Sequence, residues 1–192
     1  MRKLLPVLVA LCATGCFNEP EPAYKSVPAE NRVYLNDKGL KAVPEVNAKA
    51  DYLNLDRNQL EKADGVEKLT ELKWLRLNDN KLTALPDLKG LVNLRRVYLR
   101  NNKFAAVPET LKDLQALTDI DLSGNPVKEV PQWLAEKKGL KNLSFSRTQV
   151  SKLPENLGAW KTLQCLQLGD LNISPAEMAR IRSALPNVAI VF

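Results

Sequence analysis

Apolar positions along this chain recur in a fixed frame. Around Asn80 the order is Leu72-x-x-Leu75-x-Leu77-x-x-Asn80-x-Leu82-x-x-Leu85-Pro86. Around Asn102 it is Leu94-x-x-Val97-x-Leu99-x-x-Asn102-x-Phe104-x-x-Val107-Pro108, and around Asn125 Leu117-x-x-Ile120-x-Leu122-x-x-Asn125-x-Val127-x-x-Val130-Pro131. Asn58, Asn80, Asn102 and Asn125 follow one another at 22, 22 and 23 residues. The apolar-x-apolar stretch of each unit predicts a short strand. Leu75 and Leu77 then point inward, and Trp74, Arg76 and Asn78 point outward. Pro44, Pro86, Pro108, Pro131 and Pro154 share one phase of the frame and bar a helix there. Segments such as 109–117 and 132–140 are expected to return as short helices or 3₁₀ turns.

The frame resembles the leucine-rich repeat, L-x-x-L-x-L-x-x-N-x-L at a period of roughly 20–29 residues. The resemblance implies an α/β solenoid, right-handed and curved, with a parallel sheet on its concave face. It also implies a module that binds partner proteins. Seven coils fill residues 31–192. Lys38, Thr148 and Leu171 replace the asparagine in coils one, six and seven, where terminal repeats are commonly atypical. Ser174-Pro175-Ala176-Glu177 has the form of a capping box with proline at the first helical position. A helix to about Ala184 and a strand over 188–192 are expected to close the solenoid as a cap from about 174.

The N-terminus carries a different signal. Arg2 and Lys3 precede the apolar run from Leu4 to Leu11, which is far shorter than the ~20 apolar residues of a membrane-spanning helix. The following Ala13-Thr14-Gly15-Cys16 resembles the lipobox of bacterial lipoproteins, although Ala13 stands where leucine is usual. That likeness implies a signal peptide over 1–16 and a lipid on Cys16; bulky Leu11 makes Cys12 the poorer acceptor. Multiple acyl chains would hold the protein stably at a membrane. Residues 17–30 contain Pro20, Pro22 and Pro28, a composition suited to an extended tether. Phe17 is not the aspartate associated with inner-membrane retention in enterobacterial lipoproteins, which favours the outer membrane.

Charge and composition narrow the function. Without Arg2 and Lys3 the chain carries 26 basic against 22 acidic side chains, interspersed, which argues against nucleic acid as a partner. Histidine is absent from the whole sequence, so the commonest general base and imidazole metal ligands are missing. With Cys12 in the leader and Cys16 acylated, Cys165 remains alone, and it is expected to be an inert small side chain with no disulfide framework. Neither a phosphate-cradling glycine loop nor a paired-cysteine metal motif occurs. No cofactor and no metal are expected. Asp119 and Asp121 face one way on one strand and are the single candidates for a hydrolase.

The frame assigns outward strand residues coil by coil. Tyr34, Tyr52, Trp74 and Tyr98 lie on the first four coils, with Arg32, Arg76, Arg96 and Arg100 beside them. Aromatic and arginine side chains are enriched at binding hot spots. These eight residues are therefore the expected partner-binding site of a monomeric, non-enzymatic envelope module. A glycan-binding or adhesive surface is the alternative, because aromatic platforms also stack on sugar rings. Aromatic–arginine contacts within the sheet need no ligand at all. Trp133 and Trp160 are assigned to convex-side packing.

Overall fold

Each x-L-x-L-x stretch forms a three-residue strand. The computed structural model describes residues 28–192, so the expected signal peptide, Cys16 and most of the tether lie outside the described residues. The strands are β1 (Arg32–Tyr34), β2 (Tyr52–Asn54), β3 (Trp74–Arg76), β4 (Arg96–Tyr98), β5 (Asp119–Asp121), β6 (Asn142–Ser144), β7 (Cys165–Gln167) and β8 (Ala189–Val191). They form one open sheet in sequence order, every neighbouring pair parallel. The register places the inward residue of each coil beside its equivalent: Leu53 by Leu75, Leu75 by Val97, Val97 by Ile120. These side chains, with Leu60, Leu82, Phe104 and Val127 of the following turns, make one continuous buried core. The return path uses 3₁₀ turns at Val66–Lys68, Glu109–Leu111 and Gly158–Thr162 and one short helix, α1 (Gln132–Glu136). This is the expected leucine-rich-repeat solenoid.

The asparagines explain why the coils stack. Asn102 Oδ1 accepts from the Leu82 amide of the preceding coil at 3.0 Å, and its Nδ2 donates to the carbonyls of Leu77 and Leu99, both at 2.9 Å. Asn80 and Asn125 repeat the arrangement, and Asn58 extends it to coil one by accepting from Lys38 and Leu40. Each buried amide thus satisfies backbone groups that the tight turn leaves unpaired.

Immediately before each asparagine position the backbone turns left-handed. Asp37, Arg57, Asp79, Asn101, Arg147 and Asp170 have φ between 53° and 58°, and Gly124 occupies the same place at 69°. At Gly124 a Cβ would lie 2.1 Å from Asn101 Oδ1. Replacing Gly124 with alanine therefore incurs the left-handed backbone cost and obliges the exposed Asn101 side chain to swing away from Asp79, to which it donates. It is expected to destabilise the protein by about 1–2 kcal/mol in denaturant titration. An alanine at the equivalent Arg147, already left-handed, should cost far less.

The C-terminal cap forms as expected, with one difference. Helix α2 (Pro175–Ala184) starts at Ser174, whose Oγ accepts from the Glu177 amide at 3.2 Å. The Glu177 carboxylate does not complete a capping box. It turns inward, accepts from the Leu153 amide at 2.9 Å and pairs with Arg180 at 2.7 Å, while Arg180 also donates to the carbonyls of Leu153, Pro154 and Glu155. This clamp ties α2 to coil six. The Arg180 hydrogen bond, with help from the Leu153 amide, holds the Glu177 carboxyl below its usual value of 4.5. A carboxyl depressed in the folded state stabilises it above the unfolded pKa, and that stability is lost as pH falls through the folded value. The melting temperature of wild type should accordingly fall toward that of Glu177→Gln as the solution is acidified below about pH 4.5. Comparing the two proteins separates this effect from that of Asp37, whose carboxyl lies at about 2 beside Arg57. A constant gap between the two melting curves would count against the clamp.

Candidate interaction face

On the outward side of β1 to β4 the register lines up aromatic and arginine side chains. Tyr34 and Tyr52 have ring centroids 5.3 Å apart, and Tyr52 meets Trp74 edge-on at 6.0 Å. The Arg96 guanidinium lies over the Trp74 ring at 4.4 Å, and that of Arg76 over Tyr98 at 5.2 Å. Arg76 pairs with Asp56 at 2.7 Å, Arg96 with Asp119 at 3.6 Å and Arg100 with Asp79 at 3.3 Å. Neighbouring strands therefore exchange cation–π and ion-pair contacts along the sheet.

All eight expected residues fall on one face, but their exposure differs from that expected of projecting hot spots. Tyr52, Trp74 and Tyr98 keep only 2 %, 7 % and 5 % of their surface, whereas Tyr34 keeps 52 %. Arg32, Arg76, Arg96 and Arg100 are half-buried. Arg32, Tyr52, Trp74, Arg76, Arg96 and Tyr98 are all engaged in contacts. The alternation along a strand determines the direction of a side chain, and packing against its neighbours determines how much of it stays wet.

The outward polar residues contain a second ladder that the sequence pattern does not announce. Asp56 Oδ1 accepts from the Asn78 amide, Asn78 Oδ1 from the Arg100 amide, and Ser146 Oγ from the Gly169 amide, at 2.8, 2.8 and 3.1 Å. Each ties a turn to the coil after it, where the asparagines tie it to the coil before.

Asp119 and Asp121 take on similar structural work. Asp119 accepts from the Thr118 hydroxyl and the Asn142 side-chain Nδ2 and pairs with Arg96. Asp121 is buried and accepts from both the amide and the hydroxyl of Ser123, while burial pushes its carboxyl above the usual value. Among the described residues no group of three acidic or cysteine side chains is placed to hold a metal ion. Cys165 corrects the expectation of a lone inert thiol: it is buried in β7 and disulfide-bonded. The sequence's other two cysteines, Cys12 and Cys16, lie outside the described residues.

Residues 70–127 match the leucine rich repeat family. No curated protein matches the chain. Among solved structures, a leucine-rich-repeat protein of Leptospira interrogans is similar at 26 % identity with a TM-score of 0.66, over 80 % of this chain and 46 % of that one. The chain therefore spans about half the length of that protein.

Proposed function

We propose that this chain, a leucine-rich-repeat protein, is a non-enzymatic interaction module held at a bacterial envelope membrane by a lipid on Cys16. It takes up a partner protein on the first four coils of its outward sheet face. The observation that carries the reading is the register-matched row Tyr34, Tyr52, Trp74 and Arg96, flanked by Arg76, Tyr98 and Arg100. Buried Tyr52, Trp74 and Tyr98 act in it as a rigid base. Tyr34 and the half-buried arginines supply the contacts, pairing with acidic groups of the partner. Side chains already held in place lose less entropy on binding. The likeness to a leptospiral protein supports a bacterial setting. The lipobox residues around Cys16 support the anchor, and Phe17 favours the outer membrane.

The test is a pull-down from envelope extract with wild type beside Tyr34→Ala/Arg100→Ala, which removes accessible groups and spares the core. Retention of one protein by wild type, reduced at least about tenfold in the variant, is the expected result, a loss of roughly 1.4 kcal/mol. Equal retention by both would move the site off these coils, and displacement by soluble cell-wall fragments would favour glycan binding. Mass spectrometry of the Cys16 peptide tests the anchor separately. A thioether-linked diacylglycerol supports it. A Cys16–Cys165 disulfide overturns it, because one sulfur cannot make both bonds.

A further inference from the structure

A trough opens on the flank of the solenoid, past the C-terminal ends of β2 to β4. It measures about 560 Å³ and runs from Glu61, Lys62 and Asp64 of coil two to Lys103 of coil four. Pockets of about 300–1,000 Å³ are the size that holds small ligands. The sequence leaves room for it. Thr83 and Ala84 stand where coil five has Lys128 and Glu129, so coil three contributes little side-chain bulk there. Half-buried Leu85 and Pro86 complete the lining.

Charge is sorted along the rim. Lys81 and Lys103 each follow a buried asparagine, and their amides donate to Leu60 and Leu82 of the coil before at 2.9 and 2.8 Å. The two lysines therefore hold one position on successive coils, with backbones about 4.8 Å apart. Like charges placed side by side are unfavourable. Among the described residues the ammoniums of Lys62, Lys81 and Lys103 pair with no carboxylate, whereas Lys73, Arg76 and Arg100 all do. Glu61 and Asp64 lie at the other, coil-two end, beside Lys62 in sequence. A cavity of about 550 Å³ at the same place on coils five and six lacks this separation. There Lys128 precedes Glu129, and Lys152 pairs with Glu155 at 3.9 Å.

We propose that this trough binds a sugar phosphate. The phosphate lies between the Lys81 and Lys103 ammoniums, which donate charge-assisted hydrogen bonds to it and no longer repel each other. Glu61 and Asp64 turn a bare anion away from the coil-two end. Their carboxylates, with the Thr83 hydroxyl, accept from the hydroxyls of the sugar. Ala84, Leu85 and Pro86 offer an apolar surface to the C–H face of the ring. A ligand with an anion at one end and hydroxyl donors at the other thus matches the order of charges along the rim. The trough lies off the outward sheet face, so this inference holds or fails independently of the partner-protein reading.

Titration with glucose 6-phosphate, followed amide by amide in heteronuclear NMR spectra, is the test. The Lys81, Thr83, Ala84 and Lys103 amides should shift and saturate together, while those of Lys128 and Lys152 stay in place. Inorganic phosphate alone and glucose alone should each bind at least about tenfold more weakly. Lys81→Ser/Lys103→Ser alters two exposed side chains, so it should melt with wild type and bind glucose 6-phosphate at least about tenfold more weakly. Phosphatidylcholine vesicles carrying lipid A identify the source of the group. Sedimentation of wild type with them, but not of the lysine variant, places the sugar phosphate on a lipid; binding of glucose 6-phosphate without sedimentation makes it a free small molecule. The absence of a saturable shift at these amides, equal binding of inorganic phosphate, equal shifts at Lys128 and Lys152, or unchanged affinity in the lysine variant would overturn the proposal.

Discussion

Asn102→Leu is expected to cost about 3–5 kcal/mol of unfolding free energy, although the change keeps the side chain's size and adds apolar surface. The Asn102 amide sits at 7 % exposure and serves one amide and two carbonyls at 2.9–3.0 Å, with a third, longer contact to the Arg100 carbonyl. Leucine offers none of these bonds. Each buried backbone group left without a partner costs about 1–3 kcal/mol, and better apolar packing recovers only part of the sum. Whole-domain stability is about 5–15 kcal/mol, so the loss is a large fraction of it. Asn102→Asp should be worse near neutral pH, because a carboxylate would face the Leu77 and Leu99 carbonyls that the amide now bonds. Hydrogen exchange would show the Leu82 amide losing protection first, since a solenoid is held by neighbour-to-neighbour interfaces. A variant that melts with wild type would mean that solvent or a shifted backbone satisfies these groups.

The same asparagines are the part of the structure that the sequence announces most clearly. A side chain that must reach the backbone of both its own coil and the one before has to recur at the coil period, and so it leaves a visible repeat. The inward Leu75 and Leu77, the proline-marked turns and the capping serine are legible for the same reason: their partners lie nearby in sequence or at the repeat distance. Exposure was not legible. Tyr52, Trp74 and Tyr98 point outward as the pattern requires, yet stacking contacts with neighbouring strands contribute to closing them off. The ladder through Asp56, Asn78 and Ser146 was missed because aspartate, asparagine and serine replace one another in it, so no single letter repeats. Lys137 was missed too. It occupies the column held elsewhere by buried Leu69, Leu91, Leu114 and Trp160, and its Nζ donates to the Lys112 carbonyl at 3.0 Å. Burial there draws its pKa down from the usual lysine value. Read singly, it resembles its neighbour Lys138, which is exposed.

Trp160→Ala is expected to be the most damaging single truncation in the C-terminal half, at about 4–5 kcal/mol. Large-to-small changes at buried aromatics cost about 3–5 kcal/mol, and here a hydrogen bond is lost as well. Trp160 is completely buried, and its indole Nε1 donates to the Leu134 carbonyl of α1 at 2.9 Å, so it fastens coil six to coil five from the convex side. That junction lacks the buried asparagine of the earlier coils. Thr148 stands where an asparagine would tie coil six to coil five, so the tryptophan carries a contact that the earlier coils distribute between two residues. Trp160→Phe separates the two contributions: it keeps the ring in the core and loses the bond, and should cost about 1–2 kcal/mol. Trp133 provides the control, being half-buried and bonding through its own Nε1 to Glu109 at 2.9 Å on an exposed surface. Its alanine variant should lose much less in the same denaturant titration. If Trp133→Ala and Trp160→Ala cost the same, the convex tryptophans act only as surface ridges, and the coil-five to coil-six junction must be held by the strand ladder alone.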